Sequence, residues 1–147
     1  MALLNDKEEI THINTTFEKT FQFTPDEVRG KTLLDLIVPV KCISEHKGII
    51  RKVENGEFVQ LETIRKRKDN KNIDVLAVKF PIIIKERMKG SYAIYLDISA
   101  EIKLRKELIE LQGKLENRVK ERTKELELAY DRLAEFIDEL EEVNRSK

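Results

Sequence analysis

The last third of the chain repeats apolar residues at intervals that only a long helix uses. The intervals are four, three, four and four residues, and then seven. The residues at these positions, here called the seam, are Leu104, Leu108, Leu111, Leu115, Val119, Leu126, Leu133 and Leu140. This spacing is typical of a coiled coil, and the segment 100–147 contains one glycine and no proline. We therefore predict a long C-terminal helix over 100–147 that forms a parallel coiled-coil dimer.

The seam contains one irregularity, at Leu111, Leu115 and Val119. Two consecutive intervals of four form a stutter, where a coiled coil locally unwinds. Beyond the stutter, Val119 fits either the a or the d heptad position. The two assignments bring different residues to the interface: Arg122, Ala129, Phe136 and Val143, or Thr123, Tyr130, Ile137 and Asn144. The helix is therefore either a switch between two packings or a static spacer, and the spacing leaves both open.

The first 99 residues have the apolar runs of a globular domain. A hairpin about Asn5–Lys7 opens the segment, and short helices follow. Their predicted N-caps are Asn14, Thr24 with Glu27 in a capping box, and Thr32. A further helix is predicted over Val40–Glu54. Three strands come next, over Phe58–Arg67, Ile73–Lys85 and Ser91–Ser99, joined by turns at "KDNKN" and "ERMKG". This order predicts an α+β domain with helices on one face of an antiparallel sheet.

Several ordered motifs resemble those of the PAS domain family. "INTTFEKTFQFTPDEVRGKTLLDLIVP", "RKRKDNKNIDV" and "YLDIS" are similar to stretches of that family, and "LENRVKERTKEL" is similar to the signalling helices that follow such domains. The resemblance implies a PAS-like sensor domain over 1–99, with a five-stranded sheet, and a signalling helix over 100–147. The helix that commonly precedes the first strand in the family is missing, so we expect the sequence to be a fragment of a longer protein.

The resemblance also implies a ligand site between the sheet and the helix before the third strand. That helix carries Cys42 and His46. "SEHKG" resembles the context of the haem-ligating histidine in some PAS oxygen sensors, whereas "VPVKCISEH" lacks the context of a flavin-reactive cysteine. We expect no cofactor, with haem on His46 or a small organic ligand as alternatives and flavin disfavoured. The residues expected to line a pocket, or simply to fill the core, are Cys42, Ile49, Ile50, Val53, Leu61, Val75, Ala77, Ile94 and Leu96.

Charge and composition exclude several classes of function. Lys plus Arg and Asp plus Glu number 28 each, which gives no electrostatic footprint for nucleic acid or an acidic membrane. The basic run "RKRK", Arg65–Lys68, is interpreted as a solvated hairpin end. The one cysteine fits a reducing compartment, and neither a signal peptide nor an 18-residue apolar span is present, so we expect a cytoplasmic protein without membrane contact. No familiar catalytic motif occurs, and we expect no enzymatic activity and no metal site.

The final predicted strand runs into the long helix without a Gly or Pro between them. We expect Ser99 to N-cap the helix and Asp97 to lie near its positive end. With Glu121, Arg122 and Thr123 beside the stutter, these are the residues expected to couple domain and helix. The resulting hypothesis is a homodimeric sensory module with an output domain in cis, a sensor histidine kinase or, alternatively, a diguanylate cyclase. A ligand-free structural dimerisation module is the rival hypothesis.

Overall fold

The computed structural model describes residues 1–146. They form two compact units, the first over Met1–Ile102 and the second beginning at Lys103. The strands are β1 (Ala2–Asn5), β2 (Ile10–Ile13), β3 (Val59–Lys66), β4 (Asn72–Ile84) and β5 (Arg87–Asp97). The helices are α1 (Thr15–Phe21), α2 (Pro25–Val28), α3 (Leu33–Leu36), α4 (Ile43–Glu54) and α5 (Ser99–Arg145), and a single 3₁₀ turn, Val40–Cys42, leads into α4.

The strands form one antiparallel sheet in the order β2-β1-β5-β4-β3. The chain's first hairpin therefore lies beside its last strand, and β5 lies between β1 and β4. The predicted α+β class, the five-stranded antiparallel sheet and the long C-terminal helix are confirmed; the last residue of the predicted helix, Lys147, lies outside the described residues.

Local hydrogen bonds start the short helices where the sequence predicted them. The Asn14 side chain accepts from the Phe17 N–H at 3.0 Å, and the Thr32 hydroxyl accepts from the Asp35 N–H at 3.2 Å. Thr24 and Glu27 form both bonds of the capping box. Each bond satisfies a backbone donor that the first helical turn leaves unpaired.

The turn between β4 and β5 lies earlier than predicted. Lys85 and Glu86 alone form it, both with positive φ, and Ile84 pairs with Arg87 directly across it. Strand β5 thus begins at Arg87 instead of Ser91. Gly90, which suggested a turn, lies inside β5, where an added Cβ would stand 2.1 Å from the Leu4 carbonyl oxygen. Glycine is required here because the backbones of β1 and β5 approach closely, and it does not form a turn.

The helices cover one face of the sheet, and the register defines which side chains lie there. Tyr95 lies opposite Ala77 on β4, and Ala77 lies opposite Leu61 on β3, so the three share a face. The Phe17 and Phe21 rings of α1 pack against Tyr95 with centroid distances of 6.3 Å and 5.4 Å. This face holds the core of the first unit.

The predicted pocket residues Ile94 and Leu96 lie on the opposite face. They alternate with Ala93 and Tyr95 along β5, and Leu96 is 50% exposed. Their assignment to a pocket under the helices is therefore corrected. The physical reason is that both residue sets on β5 are apolar, so alternation alone does not say which set meets the helices.

Candidate functional site: a buried polar cluster

A group of polar and ionisable side chains extends from the interior of the first unit to its edge, where its two glutamates are partly exposed. We call it the buried polar cluster, and its members are Glu8, Glu45, His46, Arg65, Lys79 and Tyr95. They come from the β1–β2 turn, from α4 and from three neighbouring strands. Burying charges is costly unless they are paired, so the contacts of each member matter.

Arg65, on β3, is completely buried. Its Nη1 atom donates to Glu45 Oε1 at 3.2 Å, to Thr63 Oγ1 at 3.2 Å and to the Ile64 carbonyl oxygen at 2.8 Å. The Thr63 hydroxyl in turn donates to Glu45 Oε1 at 2.7 Å. Among the described residues, Nε and Nη2 of Arg65 have no acceptor. One edge of the guanidinium is therefore satisfied and the other is not.

Lys79, on β4, is almost fully buried and forms an ion pair with Glu8. Glu8 belongs to the turn of the first hairpin and has a φ of 65°. Burial lowers the pKa of Lys79, while the charge of Glu8 and its hydrogen bond oppose that shift. The pair connects the β1–β2 turn to a central strand of the sheet.

His46, on α4, is 2% exposed and has an unpartnered Nδ1 atom among the described residues. Burial, together with the charges of Lys79 and Arg65, lowers the pKa of His46 from 6.5 to about 3. The imidazole is therefore neutral at physiological pH. Burial also raises the pKa of Tyr95, against the opposing charge of Arg65, so its hydroxyl stays protonated.

Four members of the cluster meet at a cavity of about 10 Å³ beneath α4. Its lining consists of His46, Ile49, Val59, Leu61, Arg65, Ala77, Val78, Lys79 and Tyr95. A volume of this size holds one occupant of about the size of a water molecule. Two cationic side chains line it, and among the described residues no carboxylate does.

The cavity does not fit haem or flavin. Sites for such cofactors occupy roughly 300–1,000 Å³, whereas this one is about 10 Å³. The ring of His46 faces buried cations, and no group of three His, Cys, Asp or Glu residues within 1–146 is arranged to hold a metal ion. The residues at this cavity therefore fit neither cofactor.

The predicted pocket residues divide into three sets. Ile49, Leu61 and Ala77 line the cavity together with His46. Cys42, Val53 and Val75 are buried in the first unit without lining it, and Ile50 is half-buried. Ile94 and Leu96 lie across the sheet, as described above.

Sequence reasoning missed the charged members of the cluster. The run Arg65–Lys68 was interpreted as solvated, yet Arg65 is buried, and this interpretation is wrong for that residue. A signal existed: Leu61, Thr63 and Arg65 alternate on one face of β3, as Val75, Ala77 and Lys79 do on β4. A charged residue in phase with inward-facing neighbours indicates a buried ion pair or a polar site.

Asp97, the last residue of β5, hydrogen-bonds to the first residue of α5. Its Oδ1 atom accepts from the Ser99 N–H at 2.9 Å, and the Ile98 N–H donates to the Asp74 carbonyl oxygen at 2.9 Å. Ser99 is the first helical residue, so the prediction that it N-caps the helix is wrong. The carboxylate supplies the bond instead, because an Asp side chain readily accepts from the N–H two residues ahead.

Along α5 the seam residues are all exposed, by between 49% and 64%. Around the stutter, Thr123 Oγ1 donates to the Val119 carbonyl oxygen at 2.8 Å, and Arg122 lies 3.8 Å from Glu125. The Glu121 side chain is exposed. No helix within the described residues combines the length and apolarity needed to cross a membrane.

Comparison with known proteins agrees with this architecture. The model of the PAS domain family matches residues 1–100. A PAS domain from Colwellia psychrerythraea is 20% identical, with a TM-score of 0.60 over 67% of this chain and 85% of that one. An RNA-binding light-oxygen-voltage receptor is 17% identical, with a TM-score of 0.67 over 76% of this chain and 33% of that one.

A third similar structure is the LOV protein of Rhodobacter sphaeroides, at 14% identity and a TM-score of 0.59 over 66% of this chain and 58% of that one. None of the curated proteins compared with the sequence matches it. Identities this low establish the fold alone, but the family model covers about two thirds of the chain. With its five-stranded sheet, its helical face and this match, the chain belongs to the PAS domain family.

Proposed function

We propose that this chain is a cytoplasmic sensory input and signal-transmission module that works as a parallel homodimer. The PAS domain receives the stimulus, and α5 relays the change to an output domain that follows it in the parent protein. The chain itself contributes no catalysis. The resemblance of "LENRVKERTKEL" to signalling helices favours a sensor histidine kinase as the output, with a diguanylate cyclase as the alternative.

The observation that carries the proposal is the exposed seam. Helix α5 runs for 47 residues, and none of those described is buried. Most of a helix's stability in a protein comes from packing its apolar face, so a stripe of leucines left in water indicates a missing partner. A second copy of the same helix supplies identical heptad positions, which an in-register parallel coiled coil pairs with each other.

The start of α5 supports a mechanical coupling. Its first residues, Ser99–Ile102, belong to the compact unit that contains the sheet. Two hydrogen bonds of 2.9 Å hold the chain where β5 ends: the Ser99 N–H donates to Asp97 Oδ1, and the Ile98 N–H donates to the Asp74 carbonyl oxygen. A movement of β5 would therefore displace the first helical turn directly, whereas a glycine-rich linker would absorb it.

A structural dimerisation module without a stimulus of its own is the second candidate. The small size of the cavity, about 10 Å³, favours it over a sensor of large ligands. The two candidates predict the same dimer but differ in ligand response. A dimer that binds nothing in the cavity would support the structural module.

Cysteine cross-linking tests the dimer and its orientation. In a Cys42→Ala background, Leu126→Cys places a thiol on the seam, and Asp131→Cys places one on the outer side in either heptad assignment. Facing seam positions approach within disulfide reach only in a parallel, in-register pair. We expect rapid disulfide dimers for Leu126→Cys and few for Asp131→Cys.

Sedimentation velocity of the unaltered chain provides the second readout, because it does not depend on the introduced thiols. We expect a dimer at micromolar concentration. A monomer, or equal cross-linking at both positions, would contradict the proposed arrangement.

A further inference from the structure

We propose that the cavity beneath α4 is a binding site for a compact monoanion, held by the free edge of Arg65. This inference rests on the proposed sensory function and names the chemical class of its ligand. Formate, nitrate and chloride represent the class. The occupant is small, carries one negative charge and offers lone pairs to two or more N–H donors.

The first argument is the unpaired edge of Arg65. The guanidinium is always charged and has five N–H donors, and among the described residues only Nη1 has acceptors of good hydrogen-bond geometry. The Tyr95 hydroxyl interacts with Arg65 from the cavity wall but does not complete a bond to Nε or Nη2. Nε and Nη2 form the edge that binds a planar oxyanion through two parallel hydrogen bonds. Because Arg65 is completely buried, bulk water does not satisfy these donors. A native core rarely leaves them without an acceptor.

The second argument is the charge of the lining. Arg65 and Lys79 both reach the cavity wall, whereas their carboxylate partners, Glu45 and Glu8, are outside the lining. The cavity is thus positive although the cluster as a whole is paired. His46, buried and neutral, also lines the cavity, and its unpartnered Nδ1 atom can donate a hydrogen bond in one tautomer. A cation or a large apolar ligand is not suited to such a wall.

The third argument is size. A cavity of about 10 Å³ has room for one occupant near the size of a water molecule. Chloride comes nearest to this size, whereas formate and nitrate fit only after the surrounding side chains move apart. Ile49, Leu61 and Ala77 complete the wall with apolar surface, which disfavours a multiply charged anion that would retain its hydration shell. Phosphate, sulfate and dicarboxylates are therefore excluded from the proposed class.

The experiment is an anion titration of the unaltered chain followed by NMR of the arginine Nε–H groups. Sodium formate, sodium nitrate and sodium chloride each replace sodium gluconate at constant ionic strength, since gluconate is too large for the cavity. We expect one arginine resonance to shift saturably with at least one of the three, with a dissociation constant below about 10 mM. Nitrate or formate binding more tightly than chloride would identify a planar oxyanion as the ligand, and the reverse order would identify a halide.

Three variants assign the site. Arg65→Gln removes the charged guanidinium with its paired N–H donors and is expected to weaken anion binding at least about tenfold. Arg65→Lys keeps the positive charge but lacks the planar pair of N–H donors, and it is expected to bind the anion with intermediate affinity. Arg87→Gln removes an exposed arginine from the β4–β5 hairpin and should bind like the unaltered chain.

Two results would overturn the inference. One is the absence of any saturable shift in the unaltered chain with all three anions, a measurement that does not depend on whether Arg65→Gln folds. The other is equal binding by Arg65→Gln and Arg87→Gln. Neither result would affect the seam cross-linking, so a failed ligand assignment is distinguishable from a failed dimer proposal.

Discussion

His46 and His12 are the chain's two histidines, and the fold gives them opposite surroundings. His12 is exposed on β2, whereas His46 is buried. The charged or titratable groups around His46 are Arg65 from β3, Lys79 from β4, Tyr95 from β5 and Glu45 from its own helix. Burial and the two cations disfavour the imidazolium, so His46 takes up a proton far more readily in the unfolded chain.

This difference predicts acid sensitivity. The pKa of His46 is about 3 in the folded chain and about 6.5 when unfolded, so the unfolded chain binds more protons between these values. The free energy of unfolding therefore falls as the pH drops below about 6.5, and from pH 7 to pH 5 His46 alone accounts for a loss of about 2 kcal/mol. We expect His46→Gln to remove most of this pH dependence and His12→Gln to retain it, as measured by urea unfolding at the two pH values. Equal pH dependence in both variants would show that His46 titrates normally.

The residues that could be predicted from the sequence are those with local partners. Asn14, Thr24 and Thr32 bond to backbone N–H groups three residues ahead, so their roles follow from short motifs. Arg65 and Lys79 have partners 20 and 71 residues away, Glu45 and Glu8. Such contacts depend on strand register and on which face the helices cover, and a single sequence does not specify these.

At the scale of elements, the β4–β5 hairpin shows a case where the turn lacks its usual residues. A two-residue loop with positive φ at both positions normally contains Asn or Gly, because other side chains are strained there. Here Lys85 and Glu86 adopt φ values of 52° and 65°. The prediction placed the turn near Gly90 because glycine is the strongest local signal. The strands themselves were recognised from their β-branched and aromatic residues.

Replacing the second turn residue with glycine should therefore stabilise the protein. The left-handed conformation costs a non-glycine residue about 1–2 kcal/mol, and glycine's greater unfolded-state entropy offsets about half of the gain. We expect Glu86→Gly to raise the free energy of unfolding by about 0.5–1 kcal/mol. Arg87→Gly, one residue later in β5, should lower it by a similar amount, because glycine is unfavourable within a strand. Urea unfolding of both variants measures the difference, and a loss of stability in Glu86→Gly would argue against the two-residue turn.

At the scale of the whole molecule, the heptad spacing determined most of what could be predicted about α5. The predicted helix 100–147 and the observed Ser99–Arg145 nearly coincide, because one periodic pattern extends over the whole segment. The pattern does not decide whether the stutter at Leu111–Val119 is a switch or a spacer. Both heptad assignments beyond Val119 bring residues that pack well to the interface. Whether α5 switches therefore depends on the free-energy difference between the two packings, which the spacing of residues does not reveal.

Changing the helical phase in a protein that joins α5 to the proposed output domain distinguishes the two. Each residue inserted after Leu115 rotates everything beyond it by about 100° relative to the PAS domain, whereas seven residues nearly restore the original phase. If α5 relays rotation, insertions of one and two residues should lock the output activity high or low. Four residues should restore part of the response, and seven should restore most of it. Output activity measured with and without the stimulus gives the phase dependence directly. Activity that falls steadily with inserted length, or that ignores it, would instead indicate that α5 is a spacer holding two domains together.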